Sequence, residues 1–150
     1  MGTYTYTAHA KDNAGRTTSE TRTYTRTYGS AYTGLLQPIN AGSTPRSVFK
    51  LGSTVPLKFL LACGSTPITN ANATFSLTKV DSTVEGAVNE AVVELAASTG
   101  NQFRLSDATT GQYIYNLSTK SLAQGTYNLN VDLHDGSDPR TNQVSFDLKK

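Results

Sequence analysis

The chain has 150 residues, 16% of them charged, and a formal net charge of +2, too small a positive balance to argue for nucleic acid or an anionic membrane surface. A single cysteine excludes an intrachain disulfide and a cysteine-rich zinc centre, and no run approaches the roughly 18 consecutive apolar residues of a membrane span. Twenty-three threonines, fourteen serines, eight tyrosines, twelve glycines and five prolines favour strands and turns, so an all-β domain of the sandwich type is expected.

Residues 1–32 contain no Leu, Ile, Val or Phe and alternate strictly, with no signal peptide visible ahead of the alternation. Period-2 spacing puts one set of side chains on each face of a strand. Tyr4, Tyr6, Ala8 and Ala10 share a face of the first run. In the second, Arg22, Tyr24, Arg26 and Tyr28 share one face, and Thr21, Thr23, Thr25 and Thr27 the other. Asp12-Asn13-Ala14-Gly15 reads as the turn between them. This segment is a predicted β-hairpin, and two strands alone are barely stable in water. It is expected to dock on the rest of the chain or to associate with a second copy. The whole net charge sits here, because residues 33–150 carry nine basic and nine acidic side chains.

From Leu35 onward aliphatic residues return in short, turn-punctuated runs: 47–52, 55–62, 73–80, 91–98, 102–106, 112–118, 126–134 and 142–149. Tyr127, Leu129, Val131 and Leu133 share one face, as do Val144, Phe146 and Leu148, and both sets are predicted core. The run 55–62 is apolar on both faces near its end, which predicts a central strand. Segment 84–97 reads as a loop followed by a strand. Gly2-Thr3-Tyr4 and Gly125-Thr126-Tyr127 each open an alternating strand followed by a polar turn and a second strand, a weak internal repeat. On that reading residues 1–28 are the last two strands of an upstream sandwich.

Residues 34–59, GLLQPINAGSTPRSVFKLGSTVPLKF, resemble the bacterial extracellular repeats called PxKF domains, whose motif stands here as Pro56-Leu57-Lys58-Phe59. Residues 102–131 fit the same family, and residues 4–25 are similar to the end of the Ig-like domain that often precedes it. The resemblance covers most of the chain. It implies an Ig-like antiparallel β-sandwich over residues 33–150, preceded by the C-terminal hairpin of another Ig-like domain over residues 1–32. It further implies a non-catalytic spacer in a secreted or surface-attached multidomain protein, positioning neighbouring domains of the same polypeptide, with no catalytic residues to carry over. Cys63 departs from the pattern, standing where a polar residue is commoner. In the motif Pro56 begins a strand, Leu57, Phe59 and Leu61 alternate inward, and Lys58 points to the other face. Tyr127 is placed for a tyrosine corner, its hydroxyl bonding back to the preceding backbone.

Candidate chemistry is sparse. Only His9 and His134 are available as bases, and His134 lies in a turn, so no acyl-transfer site is expected. Asp132, Asp135 and Asp138, with Asp107, are the candidate loop ligands for calcium. An isopeptide bond would join Lys58 or Lys50 to Asn142. A polysaccharide or cell-wall polymer would be met by Tyr24 and Tyr28, flanked by Arg22 and Arg26, whereas Tyr113 and Tyr115 share a face with Leu117 and are predicted core. Cys63 is expected in or near the core.

Overall fold

Alternation becomes structure most directly at residues 125–132 and 143–149, where every second side chain is apolar. A computed structural model describes residues 1–41, 45–84, 86–92 and 95–150. Its strands are β1 (Gly2–Lys11), β2 (Thr17–Arg26), β3 (Tyr32–Leu35), β4 (Ser47–Lys50), β5 (Thr54–Cys63), β6 (Thr66–Pro67), β7 (Thr74–Asp81), β8 (Arg104–Asp107), β9 (Gln112–Ser118), β10 (Gly125–Asp132) and β11 (Gln143–Lys149). Two single-turn 3-10 segments, Gly29–Ala31 and Pro139–Asn142, are the only helical pieces among the described residues.

The protein is an all-β, Ig-like sandwich with an added hairpin. One sheet has the order β4-β11-β10-β7, the other β3-β5-β9-β8, with β6 paired to β5. Neighbours are antiparallel except β4 and β11, which run parallel. The core between the sheets takes Leu57, Phe59 and Leu61 from β5, Tyr113, Tyr115 and Leu117 from β9, Tyr127, Leu129 and Val131 from β10, and Phe146 and Leu148 from β11. Lys58 lies on the opposite face from Leu57 and Phe59 and is half-buried. β5 is flanked by β3 and β9, the central position that its apolar run predicts.

Tyr127 forms the expected corner. Its hydroxyl donates to the Ala123 carbonyl at 2.8 Å and accepts from the Ala123 N–H at 3.1 Å. Tyr127→Phe leaves both groups without that partner, and urea unfolding should show a loss of about 1–2 kcal/mol with an unchanged m-value. A loss under about 0.3 kcal/mol, against the ordinary net worth of a hydrogen bond, would mean that water replaces the hydroxyl freely.

Three expectations are corrected. No strand forms over the described residues of 84–98; Glu85, Val93 and Glu94 lie outside the described set. Instead the segment meets the strands through a few backbone bonds and two side-chain amides. Asn89 Oδ1 accepts from the Val48 N–H at 2.7 Å and Asn89 Nδ2 donates to the Arg46 carbonyl at 2.9 Å, while the Asn89 and Glu90 N–H groups donate to the Val48 carbonyl at 3.1 and 3.2 Å. From the sheet side, Asn116 of β9 donates through Nδ2 to the Ala96 carbonyl at 2.9 Å and accepts at its carbonyl from the Ser98 N–H at 2.9 Å. Cys63 is exposed, because β5 ends there and the chain turns through Gly64 into β6. Tyr28 leaves the hairpin: β2 ends at Arg26, and Tyr28 packs against the sandwich core together with buried Ala31.

Candidate functional site

The hairpin's register follows from its turn. Asp12 accepts from the backbone N–H groups of Ala14 and Arg16 through Oδ1, at 2.9 and 2.8 Å, while Asp12 Oδ2 meets Arg16 Nε at 2.8 Å. Those hydrogen bonds hold the carboxyl below the usual carboxylate range, the backbone N–H of Arg16 foremost. Pairing then sets Tyr4 opposite Tyr24, Tyr6 opposite Arg22 and Gly2 opposite Arg26. The Tyr4 and Tyr24 rings stack at 5.5 Å and 24°, and Tyr6 lies 6.3 Å from Tyr24. All three remain about half exposed, at 43%, 48% and 54% for Tyr4, Tyr24 and Tyr6. Glu20 pairs with Arg22 on this face. The opposite face is a threonine ladder, Thr3–Thr25, Thr5–Thr23 and Thr7–Thr21, with hydroxyl oxygens 3.1, 3.2 and 2.9 Å apart.

The aromatic strip is therefore Tyr4, Tyr6 and Tyr24 with Arg22 and Arg26, and Tyr28 is not part of it. Tyr4 and Tyr6 are missing from the sequence-based binding set because that reading followed β2 alone. The turn residues Asp12 to Gly15 fix which β1 side chains stand opposite, and they carry the signal that finds both.

Tyr28 instead sits at the joint between hairpin and sandwich. Its N–H donates to Asp135 Oδ2 at 2.5 Å, and Asp135 Oδ1 accepts from the Ser137 N–H at 3.0 Å and the Ser137 hydroxyl at 2.6 Å. Burial alone would push the Asp135 carboxyl up, but the bonds from Ser137 and from the Tyr28 N–H outweigh it and hold the pKa below the ordinary value. Gly136 brings the same loop against the hairpin: a Cβ there would stand 3.1 Å from Thr25 Cγ2 and 3.7 Å from Thr3 Oγ1.

The other candidate residues are not brought together. Asp132 caps the His134 N–H at 2.7 Å, Asp138 caps the Arg140 N–H at 2.9 Å, and Asp107 caps Thr109 and Thr110 at 2.8 Å each. Each carboxylate serves its own turn. Among the described residues no three His, Cys, Asp or Glu side chains form a possible metal set, so Asp132, Asp135, Asp138 and Asp107 are not brought together as a group of ligands. Lys50 lies opposite Lys149 and Lys58 opposite Ile114, while Asn142 Nδ2 donates to the Val131 carbonyl at 3.4 Å, so strand pairing sets neither candidate lysine opposite Asn142. Thr74 Oγ1 is 2.9 Å from His134 Nε2, and His134 Nδ1 is 3.5 Å from Asp132 Oδ2. The second distance exceeds a good hydrogen bond. The chain of contacts latches the loop after β10 onto β7. An open cleft of about 750 Å³ lies between the β4–β5 turn and residues 88–92, flanked by Lys50 and Lys120. The Glu90 carboxylate there is within 3.2 Å of Asn40 Nδ2 and 3.4 Å of the Ser47 hydroxyl.

No helix among the described residues is long and apolar enough to cross a membrane. No protein-family model matches the chain, and comparisons with curated proteins and with solved structures find no match.

Proposed function

We propose that the chain is a non-catalytic structural module of a secreted or surface-attached bacterial protein, and that it holds neighbouring domains of the same polypeptide in fixed relation. The observation that carries this reading is the joint. Asp135 is 1% exposed, and its carboxylate bonds the Tyr28 backbone N–H and folds its own loop, while Tyr28 packs on the core. The charge-assisted bond from the Tyr28 N–H crosses the joint, and the two bonds from Ser137 hold the loop that presents the carboxylate. The resemblance of residues 34–59 to PxKF domains points the same way.

The joint has a testable pH dependence. The Asp135 pKa is lower in the fold than in the unfolded chain, so its contribution is fully present above the unfolded value, about 3.9, and is lost as pH falls through the folded value. Residual dipolar couplings of residues 4–26 and of the sandwich should fit one alignment tensor at neutral pH. Well below pH ~4, the ordinary carboxylate value, and in Asp135→Ala at any pH, they should need two. A single tensor under all conditions would remove the joint from the argument.

The second reading, a carbohydrate- or cell-wall-binding accessory module, is favoured by the half-exposed Tyr4, Tyr6 and Tyr24 rings. Retention of the chain on insoluble polysaccharide or cell walls, lost in Tyr24→Ala but kept in Tyr28→Ala, would select it.

A further inference from the structure

The hairpin β1–β2 and the last two strands of the sandwich, β10–β11, share one plan, residue for residue. Gly2 pairs with Arg26 and Tyr4 with Tyr24, as Gly125 pairs with Leu148 and Tyr127 with Phe146. The two aromatic pairs are both stacked, at 5.5 Å and 24° in the hairpin and 6.0 Å and 20° in the sandwich. The polar faces correspond as well. Thr3–Thr25, Thr5–Thr23 and Thr7–Thr21 stand where Thr126–Asp147, Asn128–Ser145 and Asn130–Gln143 bond across the strands at 2.6, 2.6 and 2.8 Å.

That correspondence gives each hairpin face a role. The positions matching Tyr4, Tyr6, Ala8, Arg22, Tyr24 and Arg26 are Tyr127, Leu129, Val131, Val144, Phe146 and Leu148, and all six are buried. The positions matching the threonines form the outer polar face of the sandwich. Glycine adds an independent mark. Gly125 has φ +150, and a Cβ there would stand 2.3 Å from the Asp81 carbonyl of β7, the strand packed beside it. Gly2 has φ +136, with nothing within 4 Å of the same point. It carries the backbone of a close approach on an edge that no described strand occupies.

We infer that the Tyr4/Tyr6/Tyr24 face of the hairpin is the inner face of a second Ig-like sandwich, and that its partner is the complementary set of strands of such a unit. The partner's chemistry follows from the match. It presents an aliphatic and aromatic sheet face about 10 Å away, as stacked sheets do. It lays an antiparallel strand beside β1, in the place of β7, and a parallel one beside β2, in the place of β4. Arg22 already faces Glu20, whereas Arg26 stands where Leu148 is buried, so the covering sheet carries a carboxylate opposite Arg26. The net +2 confined to residues 1–32 fits an acidic partner surface. This inference does not depend on the stiffness of the joint.

The test extends the full chain. Residues 33–124, the strands that cover β10–β11, are placed ahead of Gly2, so that Gln124 runs into Gly2 as it runs into Gly125. Amide hydrogen exchange of residues 4–26 is then compared with that of the unextended chain. Protection should rise by about a hundredfold or more as an isolated hairpin becomes part of a cooperative unit. A second version carrying R22V and R26L, the residues of β11 at those places, guards against failure from the two arginines. Unchanged exchange in both versions overturns the inference. So does protection in the unextended chain that rises with concentration together with a dimer in the ultracentrifuge, which would assign the face to a second copy. Protection of the unextended chain by a soluble polysaccharide would assign it to sugar and overturn the inference equally.

Discussion

Phe59→Ala is expected to destabilise the sandwich by about 3–5 kcal/mol, the range for emptying a large aromatic site in a packed core. Phe59 has no exposed surface and meets three rings from three different parts of the chain. It stacks on Tyr113 of β9 at 5.2 Å and 8°, meets Phe103 edge-on at 4.9 Å, and takes the Tyr32 edge from β3 at 5.3 Å. Those contacts join the central strand to both neighbours in its sheet and to the segment leading into β8. Tyr113 also reaches the loop after β6: its hydroxyl donates to the Ile68 carbonyl at 3.1 Å and accepts from the Ala71 N–H at 2.9 Å. Removing Phe59 therefore leaves a cavity bounded by side chains already tied down, which limits collapse and places the cost toward the upper end. Lys58→Ala is the control one residue away. Its side chain lies on the outer face and its loss should stay within about 0.5 kcal/mol. Urea unfolding of the two variants separates the inward-facing and outward-facing residues of the Pro56–Phe59 motif. Equal effects would mean that the motif's inward residues do not carry the core.

The same contrast explains what the sequence makes legible. Strand faces can be read wherever apolar residues alternate with polar ones, because burial selects every second side chain. Leu57, Phe59 and Leu61, or Tyr127, Leu129 and Val131, lie in the core for that reason. Alternation continues through Arg26, Thr27 and Tyr28, but the backbone does not: Gly29 at φ +49 opens a 3-10 turn, and Tyr28 goes to the sandwich. The apolar run at 91–98 reads as a strand, yet the segment meets the neighbouring strands through single backbone bonds, at Asn89 and Glu90 to Val48 and at Ser98 to Asn116, and through the Asn89 and Asn116 side-chain amides, which no periodicity reveals. The acidic residues of the loop after β10 are close in sequence, but each closes its own turn, and sequence spacing does not distinguish a shared site from separate caps. For the hairpin face the sequence contained more than an alternation of one strand: the turn fixes the register, and the repeated Gly-Thr-Tyr marks where the two hairpins correspond.

Gly111→Ala is the substitution expected to do the most damage for the least change in volume. Gly111 lies at the start of β9's approach, with φ +71, in the region that side chains with a Cβ enter only at a cost of roughly 1–2 kcal/mol. The added methyl would also stand 2.3 Å from the Leu61 carbonyl oxygen, 3.2 Å from Pro67 Cβ and 3.3 Å from the Ile68 nitrogen. That oxygen cannot move aside freely. It accepts from the Ile68 N–H at 2.8 Å, and the Leu61 N–H donates to the Gly111 carbonyl at 3.0 Å, so the three backbones form one knot between β5, β6 and β9. The clash adds an overpacking cost of about 1–3 kcal/mol to the conformational one, for a total of about 2–5 kcal/mol. Gly100→Ala isolates the first part, since Gly100 has a similar φ of +73 with nothing within 4 Å of its would-be Cβ. Its loss should be only the roughly 1–2 kcal/mol of the backbone conformation. The difference between the two variants in urea midpoint measures the close approach itself. If the two losses coincide, the β5–β6 hairpin shifts away from β9 at no cost, and the knot at Leu61 contributes nothing to holding that edge of the sandwich.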